Sequence, residues 1–306
     1  MSRLCCCFGR SKVNDGADNG TKESETAGKQ GAKAVKSVKE DARKEKQNQS
    51  PVLVELFTSQ GCSSCPPADL EFARLGQGLA KEMIGDVPVI ALAYHVDYWN
   101  HLGWRDPFAS ASWTLRQKAY GEALQQDTIY TPEIVVQGSK HAVGDKVESV
   151  AGLIKAASRF PSPDVLDASY ELPFSSTLQV SLTLSYRKRV EKQGLDVMVA
   201  IYQNGQVTEC TAGENRGKFL TNEFVVRGLE KACSPKDWPA KKVIAGQVRF
   251  QLWEGFIRAK CGLVVFLQNP STLEIQGAER VELPESIDTM VPKEDVEEFT
   301  TEDLFT

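Results

Sequence analysis

The sequence predicts an α/β unit over residues 51–160 and a β-rich, sandwich-like region over 165–285. A basic, cysteine-bearing tail (1–50) precedes them and an acidic tail (286–306) follows. Three observations carry that reading. Short apolar runs alternate with helix-periodic segments up to residue 160, a strict two-residue alternation appears beyond it, and residues 11–50 hold almost no large apolar side chains. The 306 residues suit two domains of about 100–200 residues each. At 41% hydrophobic and 25% charged, the chain can bury a core without metal or disulfide staples.

Order is expected to begin at Pro51. Val52 to Phe57 is a short apolar run bounded by Pro before and Ser59-Gln60-Gly61 after, as in a buried strand. A helix is expected over about 68–84, with Leu70, Phe72, Ala73, Leu75 and Leu79 as its apolar positions. Val87 to Tyr94 reads as a second buried strand. Ser112 to Leu124 reads as a helix whose Trp113, Tyr120 and Leu124 share a face. Ile134 to Val136 is a third strand, turning through Gln137-Gly138-Ser139 into Lys140 to Val143, and Val147 to Ala157 closes the unit as a helix. Strands alternating with helices make an α/β pattern.

Pro161-Ser162-Pro163 marks a junction. Beyond it Leu178, Val180, Leu182, Leu184 and Tyr186 fall on one face of a strand, and further strands are expected at Leu195–Gln203, Phe219–Arg227, Gln247–Trp253 and Gly262–Gln268. Several short strands with polar turns suggest a sandwich. Acidity rises from Glu279, and the terminal segment reads as a solvated tail.

The net charge of −5 is unevenly spread. Residues 1–50 hold 11 Lys and Arg against 7 Asp and Glu, whereas 279–306 hold 2 against 10. A nearly neutral body lies between, and the net charge of −5 argues against a general nucleic-acid binder. Residues 11–50 cannot bury enough surface to offset ordering entropy and are expected to be disordered. No apolar run is long enough to span a membrane, and no secretory signal is evident. Cys5, Cys6 and Cys7 stand beside Leu4, Phe8 and basic residues, as in an S-acylation cluster, although an incidental tail explains them equally. The expected location is cytoplasmic, with peripheral membrane contact through that cluster. Cys210, Cys233 and Cys261 read as buried small hydrophobes.

The chemistry concentrates in Gly61-Cys62-Ser63-Ser64-Cys65-Pro66-Pro67, placed between a buried strand and a helix start. A helix N-terminus stabilises a thiolate, and a second thiol two residues on can resolve a mixed disulfide formed by the first. Cys62 is therefore expected to be the exposed attacker and Cys65 the buried resolver. The two prolines lead us to expect a late or kinked helix start.

The run Val52 to Phe57 leading to Cys62-Ser-Ser-Cys65 resembles the first strand and active-site turn of thioredoxins and protein disulfide isomerases. That resemblance implies a thioredoxin-like fold for 51–160. It also implies that Glu55 serves as a proton acceptor and that Thr131-Pro132 is a cis-proline segment facing the dithiol. Gly61 stands where those proteins carry Trp, and Ser63-Ser64 replaces Gly-Pro. A wider likeness joins Tyr94 to Trp99, Leu102 to Phe108, Tyr130-Thr131-Pro132 and Gly213-Glu214-Asn215. With these segments the chain resembles the family catalogued as domain of unknown function 1223, which joins a thioredoxin-like unit to a β-rich region.

The reading implied is a thiol–disulfide oxidoreductase with no cofactor, acting on a protein or small thiol or disulfide. Its rivals are a non-catalytic adaptor and a zinc site built from Cys62, Cys65, His95 and Asp97. His95, Asp97 and Tyr98 follow the second strand, where open α/β sheets carry ligands. Either they line the site, or His95 is a structural histidine bonded to Asp97 or Asp106. Gly213 to Lys218 reads as a tight turn or, alternatively, as an anion or partner contact through Arg216 and Lys218.

Overall fold

The computed structural model describes residues 49–285 apart from 175, 192 and 193. Cys5, Cys6 and Cys7 lie outside the described residues, as do the rest of the basic tail up to residue 48 and the whole acidic tail 286–306. The fold is a mixed α/β arrangement dominated by strands.

Thirteen strands form among the described residues. In the first half these are β1 (Val52–Thr58), β2 (Val89–His95), β3 (Glu133–Val136) and β4 (Lys140–Val143). The second half supplies β5 (Asp164–Phe174), β6 (Thr177–Ser185), β7 (Asp196–Gln203), β8 (Gln206–Glu209), β9 (Phe219–Asn222), β10 (Val225–Cys233), β11 (Val243–Gln251), β12 (Cys261–Gln268) and β13 (Ile275–Val281). Four helices accompany them: α1 (Cys65–Gly76), α2 (Lys81–Ile84), α3 (Ala111–Ala123) and α4 (Val147–Ala156).

β1 and β2 run parallel in the middle of an eight-stranded sheet ordered β13-β12-β7-β10-β2-β1-β3-β4. β1 is buried along its whole length, as a continuous apolar run should be when both faces are covered. The sheet crosses the Pro161-Ser162-Pro163 segment: β10 joins β2 through Val225 and Ala93 and carries β7, β12 and β13 outward. A three-stranded sheet, β11-β6-β5, lies over the outer strands. Leu178, Val180, Leu182, Leu184 and Tyr186 all point into the second core between them, against Val197, Val199, Ile201, Val265 and Leu267. The first core packs β1, β2 and β3 against Phe72, Leu75, Trp113, Tyr120 and Ile154 of the helices.

Four expectations need correction. The helix expected over 68–84 is two helices, because Gly78 (φ 73°) breaks it, and Leu70 and Leu79 are 59% and 60% exposed. α1 begins at Cys65, neither late nor kinked there, since Pro66 and Pro67 fall in the first turn, where a missing N–H costs nothing. The strand expected at Phe219–Arg227 is divided between β9 and β10 by Phe224 at φ 56°. The acidic segment from Glu279 begins inside β13, whose Ile275 and Ala278 are fully buried.

Candidate active site

Between the end of β1 and the start of α1, the loop Ser59 to Ser64 carries Cys62 and is fastened from four sides. The Gln60 N–H donates to Asp106 Oδ2 at 2.8 Å. Asn215 donates from Nδ2 to the Gln60 and Cys62 carbonyls at 2.8 and 2.9 Å. The Ser63 N–H donates to Glu214 Oε2 at 3.2 Å, and Gly61 lies against Trp99, where a Cβ would come 3.1 Å from the Trp99 Cβ. That contact explains why glycine stands there. Gly213 has φ 72°, and a Cβ on it would sit 2.8 Å from the Trp104 Cβ, so the Glu214–Asn215 loop reaches the cysteines only with glycine at its start. This loop is a clamp on the dithiol segment, a role neither sequence reading gave it.

Cys62 and Cys65 are both free thiols. Cys62 is 3% exposed, which corrects the expectation of an exposed attacker: its Sγ lies 3.2 Å from Ser64 Oγ and 3.8 Å from the Thr131 carbonyl oxygen. A hydrogen bond from the Cys65 thiol lowers the Cys62 pKa to about 6 against the opposing effect of burial, with help from Ser64 and Thr131. Burial raises Cys65, and the neighbouring Cys62 and Asp69 raise it further. Near neutral pH the pair is therefore a thiolate at Cys62 beside a thiol at Cys65.

A buried polar cluster surrounds them. Asp69, on α1, accepts from Thr58 Oγ1 at 2.7 Å and from Asn222 Nδ2 at 3.4 Å. Burial raises its pKa to about 7, while the His95 charge and the Thr58 bond act the other way. His95 Nδ1 lies 2.6 Å from Asp106 Oδ2, both side chains fully buried, and its Nε2 is buried without a partner. Burial disfavours the imidazolium, but Asp106 outweighs it and leaves His95 raised; Asp106, also opposed by burial, is lowered by His95 in turn. The pair is an ion pair that also holds the Gln60 N–H. Of the two carboxylates offered for His95 by the sequence, Asp106 is the one used.

The remaining expected site residues divide. Thr131-Pro132 is a cis peptide, and Thr131 accepts on Oγ1 from Trp99 Nε1 at 2.7 Å, beside Cys62. The Tyr98 hydroxyl donates to Gln117 Oε1 at 3.2 Å, and burial raises its pKa. Asp97 points elsewhere, its Oδ1 accepting from Thr114 Oγ1 at 2.6 Å. Glu55 is not beneath the cysteines. Side chains alternate along a strand, so Glu55 faces α3 while Thr58 faces Asp69 and α1. There Glu55 pairs with Arg116 at 2.7 Å and accepts from the Tyr120 hydroxyl. The zinc arrangement fails for a similar reason. His95 Nδ1 and Asp97 are committed to Asp106 and Thr114, and no group of three or more His, Cys, Asp or Glu among the described residues is placed to hold a metal ion.

Sequence reasoning passed over Asp69, Asn222 and Gln60, and it read Asn215 as part of a turn or partner contact without joining it to the cysteines. Asp69 carried one usable signal: it stands four residues after Cys65, on the same face of any helix that starts there. No helix among the described residues is long and apolar enough to cross a membrane.

Residues 53–268 match the model of a family described as protein of unknown function, DUF1223. A comparison with curated proteins finds no match. Among solved structures, the chain is similar to a protein from Agrobacterium tumefaciens at 27% identity and a TM-score of 0.54, covering 76% of this chain and 95% of that one. It is also similar to HBP35 of Porphyromonas gingivalis at 13% identity and a TM-score of 0.53, covering 77% of this chain and 76% of that one. The second likeness is one of fold alone.

Proposed function

The chain belongs to the family of proteins of unknown function DUF1223, and we propose that its Cys62–Cys65 dithiol carries out thiol–disulfide exchange. One observation carries the reading: two free thiols at a helix start, polarised in opposite directions, with Cys62 at about 6 and Cys65 raised. A low-pKa thiolate beside a protonated thiol is the pairing that attacks a disulfide and then resolves the mixed disulfide. The same reading takes residues 51–160 as a thioredoxin-like unit, supported by the parallel β1 and β2, the dithiol at the head of α1 and cis Pro132 before β3. It takes 165–285 as sandwich-like, supported by the two sheets that face each other across the second core. Cys62 is the nucleophile, Cys65 the resolving thiol, and Thr131 and Pro132 line the approach.

Equilibration of the full chain in dithiothreitol redox buffers, read by alkylation, tests this. A reversible two-electron transition abolished by Cys62→Ser, and a mixed disulfide trapped by Cys65→Ser, are the expected results. A second reading, a non-catalytic binding platform, draws on the 3% exposure of Cys62. A dithiol inert to exchange at neutral pH would establish that reading instead. For the N-terminal segment we retain S-acylation of Cys5, Cys6 and Cys7 as a proposal; a palmitate-analogue label that persists after all three are changed to Ser would remove it.

A further inference from the structure

The resolving step has a proton to dispose of, and the buried carboxyl of Asp69 stands next to it. Cys65 and Asp69 are 0% and 8% exposed and sit four residues apart on α1, which places their Cβ atoms about 5–6 Å apart on one helix face. At that separation the Asp69 charge acts directly on the Cys65 thiol and holds its pKa up. We propose that Asp69 accepts the proton released by the Cys65 thiol when Cys65 attacks the mixed disulfide at Cys62. The proposal rests on the exchange activity proposed above.

The surroundings suit such a role. Both hydrogen bonds to the Asp69 carboxyl come from neutral donors, Thr58 Oγ1 and Asn222 Nδ2. His95 neighbours Thr58 across the β1–β2 register and supplies a positive charge that favours the carboxylate, although its own Nδ1 is taken by Asp106. Asp106 and the Cys62 thiolate oppose ionisation. Lys218 lines the same cleft but is bonded to Asn215 Oδ1 at 2.9 Å. With burial as the largest influence, the acid sits at about 7, where it can both take and return a proton near neutrality.

The step balances as follows. A substrate disulfide has already accepted the Cys62 thiolate, releasing one substrate sulfur and leaving a Cys62–substrate disulfide. Cys65 gives its proton to the Asp69 carboxylate, and its sulfur attacks Cys62 Sγ. The Cys62–Cys65 bond forms, the bond to substrate breaks, and the second substrate sulfur leaves as a thiolate that collects the proton. The dithiol is oxidised and the substrate disulfide is reduced by two electrons.

Mixing the reduced full chain with an aromatic disulfide reagent separates the two steps, because each releases one chromophoric thiolate. In the wild type the second release is expected to accelerate with pH at or somewhat below about 7, following Asp69 once the opposing Cys62 thiolate has been consumed. In Asp69→Asn that rise should vanish and the second release should slow on the order of a hundredfold above it, with the first release nearly unchanged. Asp69→Glu should restore the rise. Thr58→Val, which deletes a bond favouring the carboxylate, should move it to higher pH and serves if Asp69→Asn fails to fold. An unchanged rise in these variants overturns the role of Asp69 alone. A wild type that releases no thiolate at all overturns the exchange reading, and the proposal with it.

Discussion

Strand β1 carries two buried polar clusters, one on each face, and they solve the burial of an acid differently. On one face Glu55 is held by Arg116, whose Nε donates at 2.8 Å, while the Tyr120 hydroxyl also binds the carboxylate. Gln268 bonds Tyr120 in turn, and the guanidinium lies over the rings of Tyr94, Tyr120 and Phe266 at 5.4, 5.1 and 5.7 Å. Burial works against the Arg116 charge, but Glu55 outweighs it and raises the guanidinium further above its ordinary value. On the other face Asp69 has only a hydroxyl and an amide as donors and titrates near neutrality. A permanent cation makes a buried acid architectural; neutral donors and a titratable histidine leave it able to exchange protons.

The contrast can be broken in graded ways. Arg116→Met should cost the most, about 3–5 kcal/mol in urea unfolding, since it strands Glu55 in a site closed to water. A loss below about 1 kcal/mol would show that the cluster is not a coupled ion pair. Next in size is the pH dependence that Asp69 imposes. Its folded pKa of about 7 lies above the ordinary aspartate value, so between about pH 4 and 7 the folded state binds more protons than the unfolded state. Its contribution to stability is therefore full at about pH 4 and falls as pH rises to about 7, by about 4 kcal/mol at most. Unfolding curves of Asp69→Asn should lack this fall; a fall of the same size would locate it elsewhere. Asn215→Ala removes the side-chain donor shared by the Gln60 and Cys62 carbonyls, leaving Cys62 only the Cys65 N–H at 3.4 Å, and should cost about 1–3 kcal/mol. It should also quicken Cys62 alkylation, and unchanged alkylation would mean the clamp does not guard the thiol. Ser64→Ala is the mildest, removing one hydrogen bond at 3.2 Å and raising the alkylation midpoint of Cys62 from about 6 by less than about one pH unit.

Much of the fold was legible in the sequence because burial leaves a period. Leu178 to Tyr186 alternate in sequence and all five apolar positions are buried, and the apolar run of β1 is buried throughout. β5 escaped notice because its alternation, carried by Ala168, Tyr170 and Leu172, is short and none of its residues is fully buried. β13 escaped because Glu279 and Arg280 interrupt its apolar residues where they meet solvent. The site divides in the same way. Cys62, Cys65 and Thr131-Pro132 could be found because their meaning is local. The turn holding Asn215 was legible but its hold on Cys62 was not, and Asn222 was not found at all, since each gains its role only by meeting a partner more than 150 residues away. Glu55 misled because being on the right strand does not settle which face a side chain takes.

The sheet that runs through both halves governs how this protein can be taken apart. β10 covers the edge of β2, and the loop between β8 and β9 delivers Glu214 and Asn215 to the cysteines, while β9 itself provides Asn222 for Asp69. A fragment ending at Phe160 would keep both thiols yet lose the donors that set their shape and proton balance, and it would expose an unpaired strand edge prone to association. The dithiol unit is thus no interchangeable module. Grafting it onto another scaffold, or swapping second halves between homologues, would test shape and redox behaviour together, because here they share the same residues.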